Sequence, residues 1–142
     1  MIAATLDANV LVSGFAGFAL TESTPGELMR RWRAAAFLVV LSEPIIDEFE
    51  RALAKPYFSK RLSAERRAAD VALLREEARV VELHTRVVGV AADPADDMVI
   101  ATAVDGGADY LVTGDRALLD VRAYRGISIV SPRHFVDLLA QQ

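Results

Sequence analysis

Five short runs of apolar residues, several of them β-branched, constrain the fold of this chain more than any other feature. They are separated by stretches that repeat apolar residues with the 3.6-residue period of a helix. Short strands that are almost wholly apolar are typical of a parallel sheet covered on both faces. Because strand–helix–strand connections are right-handed, the pattern predicts a three-layer α/β/α sandwich with a central parallel sheet of about five strands. The five runs are 2–6, 37–41, 80–83, 110–113 and 127–130.

Capping residues, prolines and glycines mark the ends of the intervening helices. Pro56 closes the second predicted helix, and the pair Gly106 and Gly107 ends the fourth. No repeat or linker interrupts the alternation. The predicted helices begin at Thr24-Pro25, Ser42, Ser63, Asp93-Pro94 and Pro132.

The length of 142 residues, 53% of them hydrophobic, fits one domain over 1–142 with a sizeable core. The absence of cysteine excludes a disulfide framework and a thiolate zinc site, and it suits a reducing compartment, for which we expect the cytoplasm. No segment approaches the roughly 20 apolar residues of a membrane span, so we expect neither insertion nor secretion. The net charge of −4 argues against a broadly basic surface for nucleic acid, but it is compatible with an acidic metal site.

Two acidic residues are expected at the carboxyl edge of the predicted sheet, where ligands bind in open α/β folds. Asp7 directly follows the first strand, and Asp115 lies two residues beyond Thr113, which ends the fourth. The common strand order 3-2-1-4-5 makes these strands neighbours. The two carboxylates would then meet, although they are distant in the sequence.

Three acids occur within five residues at the start of the fourth predicted helix: Asp93, Asp96 and Asp97. Capping and the helix dipole explain one or two of them, and Asp93 has the position of the cap. Asp96 and Asp97 then compete for a functional role. Asp97 is followed by the apolar face that should pack on the sheet.

Glu48 lies on the helix that begins at Ser42, between the apolar residues Ile45 and Phe49. This position puts it near the boundary of the buried face. From the residues alone, a surface charge and a site carboxylate are equally good interpretations of Glu48.

A cluster of carboxylates needs cations, because packed negative charges repel and raise one another's pKa values. Mg²⁺ and Mn²⁺ are hard cations that prefer oxygen ligands, and the two histidines of the chain, His84 and His134, have no spacing typical of ligands. Such ions can activate water against a phosphodiester without a histidine base. Asn9 and Thr113, at the same edge, could orient a carboxylate or bind phosphate, or could merely cap a helix and close a turn.

Four segments, in order, resemble the motifs of PIN domains: Ile2 to Ser13 with its Asp-x-Asn, Ser42 to Phe49, Asp93 to Ala103, and Tyr110 to Asp115. Together they cover nearly the whole chain. The resemblance implies the order 3-2-1-4-5, a metal site of Asp7, Glu48, Asp97 and Asp115 using Mg²⁺ or Mn²⁺, and cleavage of single-stranded RNA. Asp96 is an alternative to Asp97, and Asp115 is either the fourth metal acid or a turn residue. The motifs are most similar to those of VapC toxins, which implies a homodimer and a cognate antitoxin.

Arg51 and Arg116 are the best candidates for binding RNA phosphates, because each is close in sequence to a proposed site acid. A solvated helix face is the plainer interpretation of either one. Phe15, Phe18 and Leu20, which follow the first motif, could form an exposed flap or partner surface, or could simply pack against the domain.

Two other folds that handle phosphate groups are excluded, because residues that their sites require are missing from this sequence. A receiver domain needs an acid after strand 3, near Thr85, and a lysine after strand 5, near Arg133, and neither is present. A haloacid-dehalogenase-like phosphatase needs Asp-x-Asp after strand 1, where this chain has Asn9. The remaining alternative of a different class is a PIN fold that acts as a non-catalytic binding or regulatory module on RNA or a protein partner.

Overall fold

The fold is built on one mixed sheet with helices on both faces. The computed structural model describes residues 1–16 and 23–142. Within these ranges the strands are β1 (Ala3–Leu6), β2 (Leu38–Leu41), β3 (Arg79–Val80), β4 (Tyr110–Val112), β5 (Ala123–Tyr124) and β6 (Ile127–Val130).

The strand order is β3-β2-β1-β4-β6-β5, and every pair is parallel except β5 with β6. Without β5, this is the predicted parallel sheet of five strands in the predicted order. The structure therefore confirms the three-layer α/β prediction. The unpredicted β5 is only two residues long and forms a hairpin with β6 through Gly126, whose φ of +81° suits glycine.

The helices connect these strands, and the structure adds short ones that the sequence pattern did not predict. Pro56 begins α4 in addition to ending α3, and a one-turn helix, α7, follows Asp115. The helices are α1 (Ala8–Ala16), α2 (Thr24–Arg33), α3 (Glu43–Leu53), α4 (Pro56–Ser59), α5 (Ala64–Glu77), α6 (Pro94–Asp105), α7 (Arg116–Leu119) and α8 (Pro132–Ala140).

Helix starts follow the capping residues with two differences from prediction. Ser23, not Thr24, caps α2, because its Oγ accepts the Gly26 N–H. Ser42 occupies the cap position of α3 but makes no side-chain cap hydrogen bond, since its hydroxyl is engaged by Thr102 on α6. Asp93 caps α6 as predicted, through the Ala95 N–H.

The strand predicted over 80–83 is shorter than expected. Only Arg79 and Val80 pair with β2, and the chain beyond them runs without regular structure to Asp93. This crossover is attached instead by a side chain: the Asp105 carboxylate accepts the N–H groups of His84 and Thr85 and the Thr85 hydroxyl.

The helix that carries the third motif, α6, packs directly on β1, β2 and β4. Its end at Gly106 lies so close to β2 that a Cβ there would sit 2.0 Å from Val40 Cγ1, which requires glycine. Nearby, α1 packs between α2 and α3, and the rings of Phe15 and Phe49 lie 5.2 Å apart. Phe15 therefore belongs to the core, while Phe18 and Leu20 lie outside the described residues.

Among the described helices, none has both the length and the apolar character needed to span a membrane.

Candidate functional site

The carboxyl edge of the sheet brings Asp7 and Asp115 together through Thr113. Asp7 continues β1, with its N–H donating to Val112 O, and Thr113 continues β4, with its N–H donating to Val130 O. The fully buried Thr113 hydroxyl donates to Asp7 Oδ2 at 2.8 Å and accepts the Asp115 N–H at 3.0 Å. Thr113 thus fixes the position of both acids, and its buried hydroxyl is already engaged.

Asp7 is the most buried carboxylate of this edge, with 6% of its surface exposed. Burial raises the pKa of Asp7, and the charge of Asp115 adds to the increase, while the hydrogen bonds from Thr113 and Ala8 oppose it. A buried carboxylate with one side-chain donor lacks charge compensation, so a cation near Asp7 is electrostatically favoured.

Asp115 also has a structural role, because its side chain accepts the Ala117 N–H at 3.0 Å and caps α7. The sequence left open whether Asp115 was a site acid or a turn residue. The structure gives it both positions: it caps a one-turn helix and interacts with Asp7 and Asp96.

Asp96, in the first turn of α6, lies among the acids of the sheet edge. Burial raises the pKa of Asp96 to about 6. The negative charges of Asp115, Asp7 and Asp93 add to the increase. Asp96 therefore belongs to this acidic group.

Asp97 points elsewhere and is 5% exposed. Its carboxylate accepts three consecutive backbone N–H groups from the crossover: Gly89 at 2.9 Å, Val90 at 3.2 Å and Ala91 at 2.7 Å. Gly89 has a φ of +72°, so this turn depends on glycine. Asp97 thus tethers the crossover to α6, whereas Asp96 is the acid of this helix that interacts with Asp7 and Asp115.

A signal in the sequence was available for this distinction. Asp97 precedes Ile100 and Ala101 by three and four residues, so all three share the face of α6 that packs on the sheet. A carboxylate on a buried face needs hydrogen-bond donors from the protein itself. The half-buried Asp96 faces the sheet edge instead.

Glu48, on α3, is half-buried between the buried residues Ile45 and Phe49. Burial raises the pKa of Glu48, and so do the charges of Asp7 and Asp93, while Arg51 and Lys55 lower it. Glu48 is therefore electrostatically coupled to the acids of the sheet edge, which the interpretation as an isolated surface charge does not predict.

The residues predicted to bind substrate lie around these acids. Asn9, exposed in the first turn of α1, lines an open groove together with Glu48 and Arg51. Arg116 is exposed at the start of α7, directly after Asp115. Thr113, by contrast, is buried and positions Asp7.

The chemistry of this donor set suits a hard divalent cation, since it offers carboxylate oxygens whose mutual repulsion a cation would relieve. Within residues 1–16 and 23–142, however, no three carboxylate or histidine side chains converge closely enough to hold one ion. Ligation by three of these acids therefore requires at least one of them to change rotamer. Asp7, held by Thr113, is the least free to move.

Comparison with known proteins gives a family and a fold. A family model described as "PIN domain" matches residues 3–117. The solved structure titled "Crystal structure of PAE2754 from Pyrobaculum aerophilum" is similar with a TM-score of 0.68 and 20% identity, over 99% of this chain and 91% of that chain. No curated protein matches the sequence significantly. PIN domains are generally nucleases that use divalent metal ions. The family match spans β1 to α7 and thus every acid described above, and this chain belongs to the PIN-domain family.

Proposed function

We propose that this protein is a metal-dependent endoribonuclease that hydrolyses phosphodiester bonds of single-stranded RNA. The observation that carries the proposal is the group of four acids at the carboxyl edge of the sheet, Asp7, Glu48, Asp96 and Asp115. The pKa is raised by burial and mutual repulsion in three of them, Asp7, Glu48 and Asp96. Carboxylates kept in such proximity suit a site for cations more than a structural role.

Under this proposal Asp7, Glu48, Asp96 and Asp115 hold Mg²⁺ or Mn²⁺, and Asp96 takes the place that sequence resemblance gave to Asp97. When bound, the ion supplies an activated water and stabilises charge on the phosphate. Thr113 holds Asp7 in position, and Asp115 is held through its own N–H. Asn9 and Arg116, exposed beside these acids, bind the RNA backbone.

The first experiment incubates purified protein with labelled single-stranded RNA in Mn²⁺, in Mg²⁺ and in EDTA. We expect cleavage only with a divalent ion, and we expect Asp7→Asn to lower the rate at least about 100-fold, as is typical when a ligand or its support is removed. Circular dichroism and the melting temperature check that the variant is folded. Cleavage that persists in EDTA would refute metal dependence.

A second outcome would favour a different class of function. If the wild type binds Mn²⁺, measured by calorimetry, and leaves a panel of RNAs intact while still binding them, the protein is a non-catalytic PIN-fold module that acts on RNA or a partner. In that case Asp7→Asn should weaken Mn²⁺ binding without changing any cleavage pattern.

We further propose that the nuclease is a cytoplasmic toxin that forms a homodimer and is inhibited by a cognate antitoxin. Support comes from the resemblance of the four motifs to those of VapC toxins. Expression of the wild type should arrest bacterial growth, and expression of Asp7→Asn should not. Equal growth of both strains, with both proteins soluble at equal levels, would contradict the toxin role.

A further inference from the structure

An open groove of about 570 Å³ lies between α3 and the start of α6, and Glu48 of the acidic group is part of its lining. We call it the α3 groove and define it by Glu48, Arg51, Ala52, Lys55 and Met98, which line it. Glu48 stands at its acidic end. Asp47, beside it on α3, also lines the groove. Arg51 follows Glu48 by one turn of α3 and Lys55 lies just beyond the end of that helix, so the lining changes from negative to positive along the chain.

Arg51 lies in the last turn of α3, and Lys55 follows the C-cap Ala54 as the N-cap of α4; both side chains line the groove. Both are exposed, and neither takes part in an ion pair with the acids that the structure describes. Arg66, on α5, is by contrast paired with Asp70. Arg51 and Lys55 thus remain available to an external anion, close enough to the acids to lower the pKa of Glu48.

The lining of the α3 groove also has an apolar part, which we call its floor. Ala52 and Met98 are half-buried there, one from α3 and one from α6. A ligand that fits has anionic groups for Arg51 and Lys55 and an apolar face for Ala52 and Met98. A nucleic acid strand combines these features, because each nucleotide has a phosphate and a base with an apolar face.

We propose that the α3 groove binds the RNA nucleotides adjacent to the cleaved bond, with Arg51 and Lys55 contacting successive backbone phosphates and a base lying over Ala52 and Met98. The proposal rests on the proposed nuclease function, since it takes Glu48 as the end of the groove nearest the reaction. It gives the bound strand a path along α3, away from the acids and toward Lys55.

The test measures binding of a labelled ten-nucleotide oligouridine by fluorescence anisotropy at several salt concentrations, in an Asp7→Asn background that prevents cleavage. Arg51→Gln and Lys55→Gln should each weaken binding about three- to tenfold at low salt. Each should also reduce the slope of log K against log salt by about 0.7, the value for one phosphate contact on a single strand.

The matched control is Arg125→Gln, which removes one exposed positive charge in the β5–β6 turn, at the opposite edge of the sheet. It should leave the affinity and the salt slope nearly unchanged. If Arg125→Gln lost as much affinity for oligouridine as Arg51→Gln, binding would depend only on net charge. That result would overturn the proposal.

A second pair of variants tests the floor. Ala52→Glu places a carboxylate in the α3 groove, whereas Ala54→Glu places the same charge at the exposed end of α3, outside the groove. We expect Ala52→Glu to weaken oligouridine binding at least about tenfold and Ala54→Glu to change it less than about twofold. Equal effects of the two would overturn the assignment of the floor.

The outcomes separate this inference from the proposed function. If wild-type protein cleaves RNA but Arg51→Gln and Lys55→Gln change neither affinity nor salt slope, the nuclease proposal stands and the groove proposal fails. If no RNA is cleaved but both substitutions weaken oligouridine binding as stated, the groove is a nucleic-acid site and the nuclease proposal fails. If poly-glutamate binds as tightly as oligouridine, and Arg51→Gln and Lys55→Gln weaken its binding to the same extent, the groove accepts an acidic protein segment instead.

Discussion

At the scale of residues, the two adjacent acids Asp96 and Asp97 have separate tasks. Asp96 interacts with Asp115 and Asp7, whereas the Asp97 carboxylate accepts hydrogen bonds from three backbone N–H groups of the crossover. Successive residues of a helix point about 100° apart, so two neighbouring carboxylates cannot face the same surroundings. The difference makes them a natural pair of matched variants.

We expect Asp96→Asn to lower RNA cleavage at least about 100-fold without lowering the melting temperature in EDTA, because it removes a repulsive charge. Asp97→Asn should instead cost about 2–3 kcal/mol of unfolding free energy, roughly 5–10 °C, since its amide group would face N–H donors. Thermal melts and cleavage rates of both variants check this. If Asp97→Asn lowered cleavage and Asp96→Asn lowered stability instead, Asp97 would be the site residue.

At the scale of elements, one buried hydrogen bond joins the helices that carry Glu48 and Asp96. Ser42 Oγ at the start of α3 and Thr102 Oγ1 on α6 lie 2.8 Å apart, and both residues are fully buried. The Thr102 hydroxyl can also donate to Met98 O at 3.0 Å. This contact fixes the spacing of the two helices across the acidic group and the α3 groove.

We expect Ser42→Ala to lower the unfolding free energy by about 1 kcal/mol, because the Thr102 hydroxyl keeps its bond to Met98 O. Thr102→Val should cost more, about 1–3 kcal/mol, since it leaves the buried Ser42 hydroxyl without that partner. Chemical denaturation of both variants gives the two values. Equal stability of wild type and Thr102→Val would show that the bond does not hold α3 against α6.

At the scale of the whole molecule, the crossover from β3 to α6 has little strand pairing and is attached at both ends by aspartates of α6. Asp97 binds its later part, and Asp105 binds His84 and Thr85 in its earlier part. Partial burial tends to raise the pKa of Asp105, but the hydrogen bonds from Thr85 and His84 outweigh it and lower the pKa below the ordinary value of 3.8.

Because the pKa of Asp105 is lowered in the folded protein, the stability that Asp105 contributes decreases in acid. A carboxyl whose pKa is lower in the folded state contributes stability fully above 3.8, and the contribution is lost as pH falls through that value toward the folded pKa. Wild type should therefore melt above Asp105→Asn from pH 5 to 8, and the difference should shrink below about pH 4. A difference that is constant down to pH 3 would contradict the assigned pKa shift.

The order of the strands, and with it the meeting of Asp7 and Asp115 at one edge, was predicted from the common α/β order and the resemblance to PIN domains. The sequence by itself determined the five parallel strands and the helix starts at Ser63 and Asp93. These follow from local patterns, because apolar runs, capping residues and the ends of strands are legible along the chain. It did not determine that Asp96 joins the acidic group, that Thr113 is a support for Asp7, or that the crossover is held by carboxylates in place of a longer β3. Those depend on which side chain meets which distant backbone group, and only the packing of α6 on the sheet decides that.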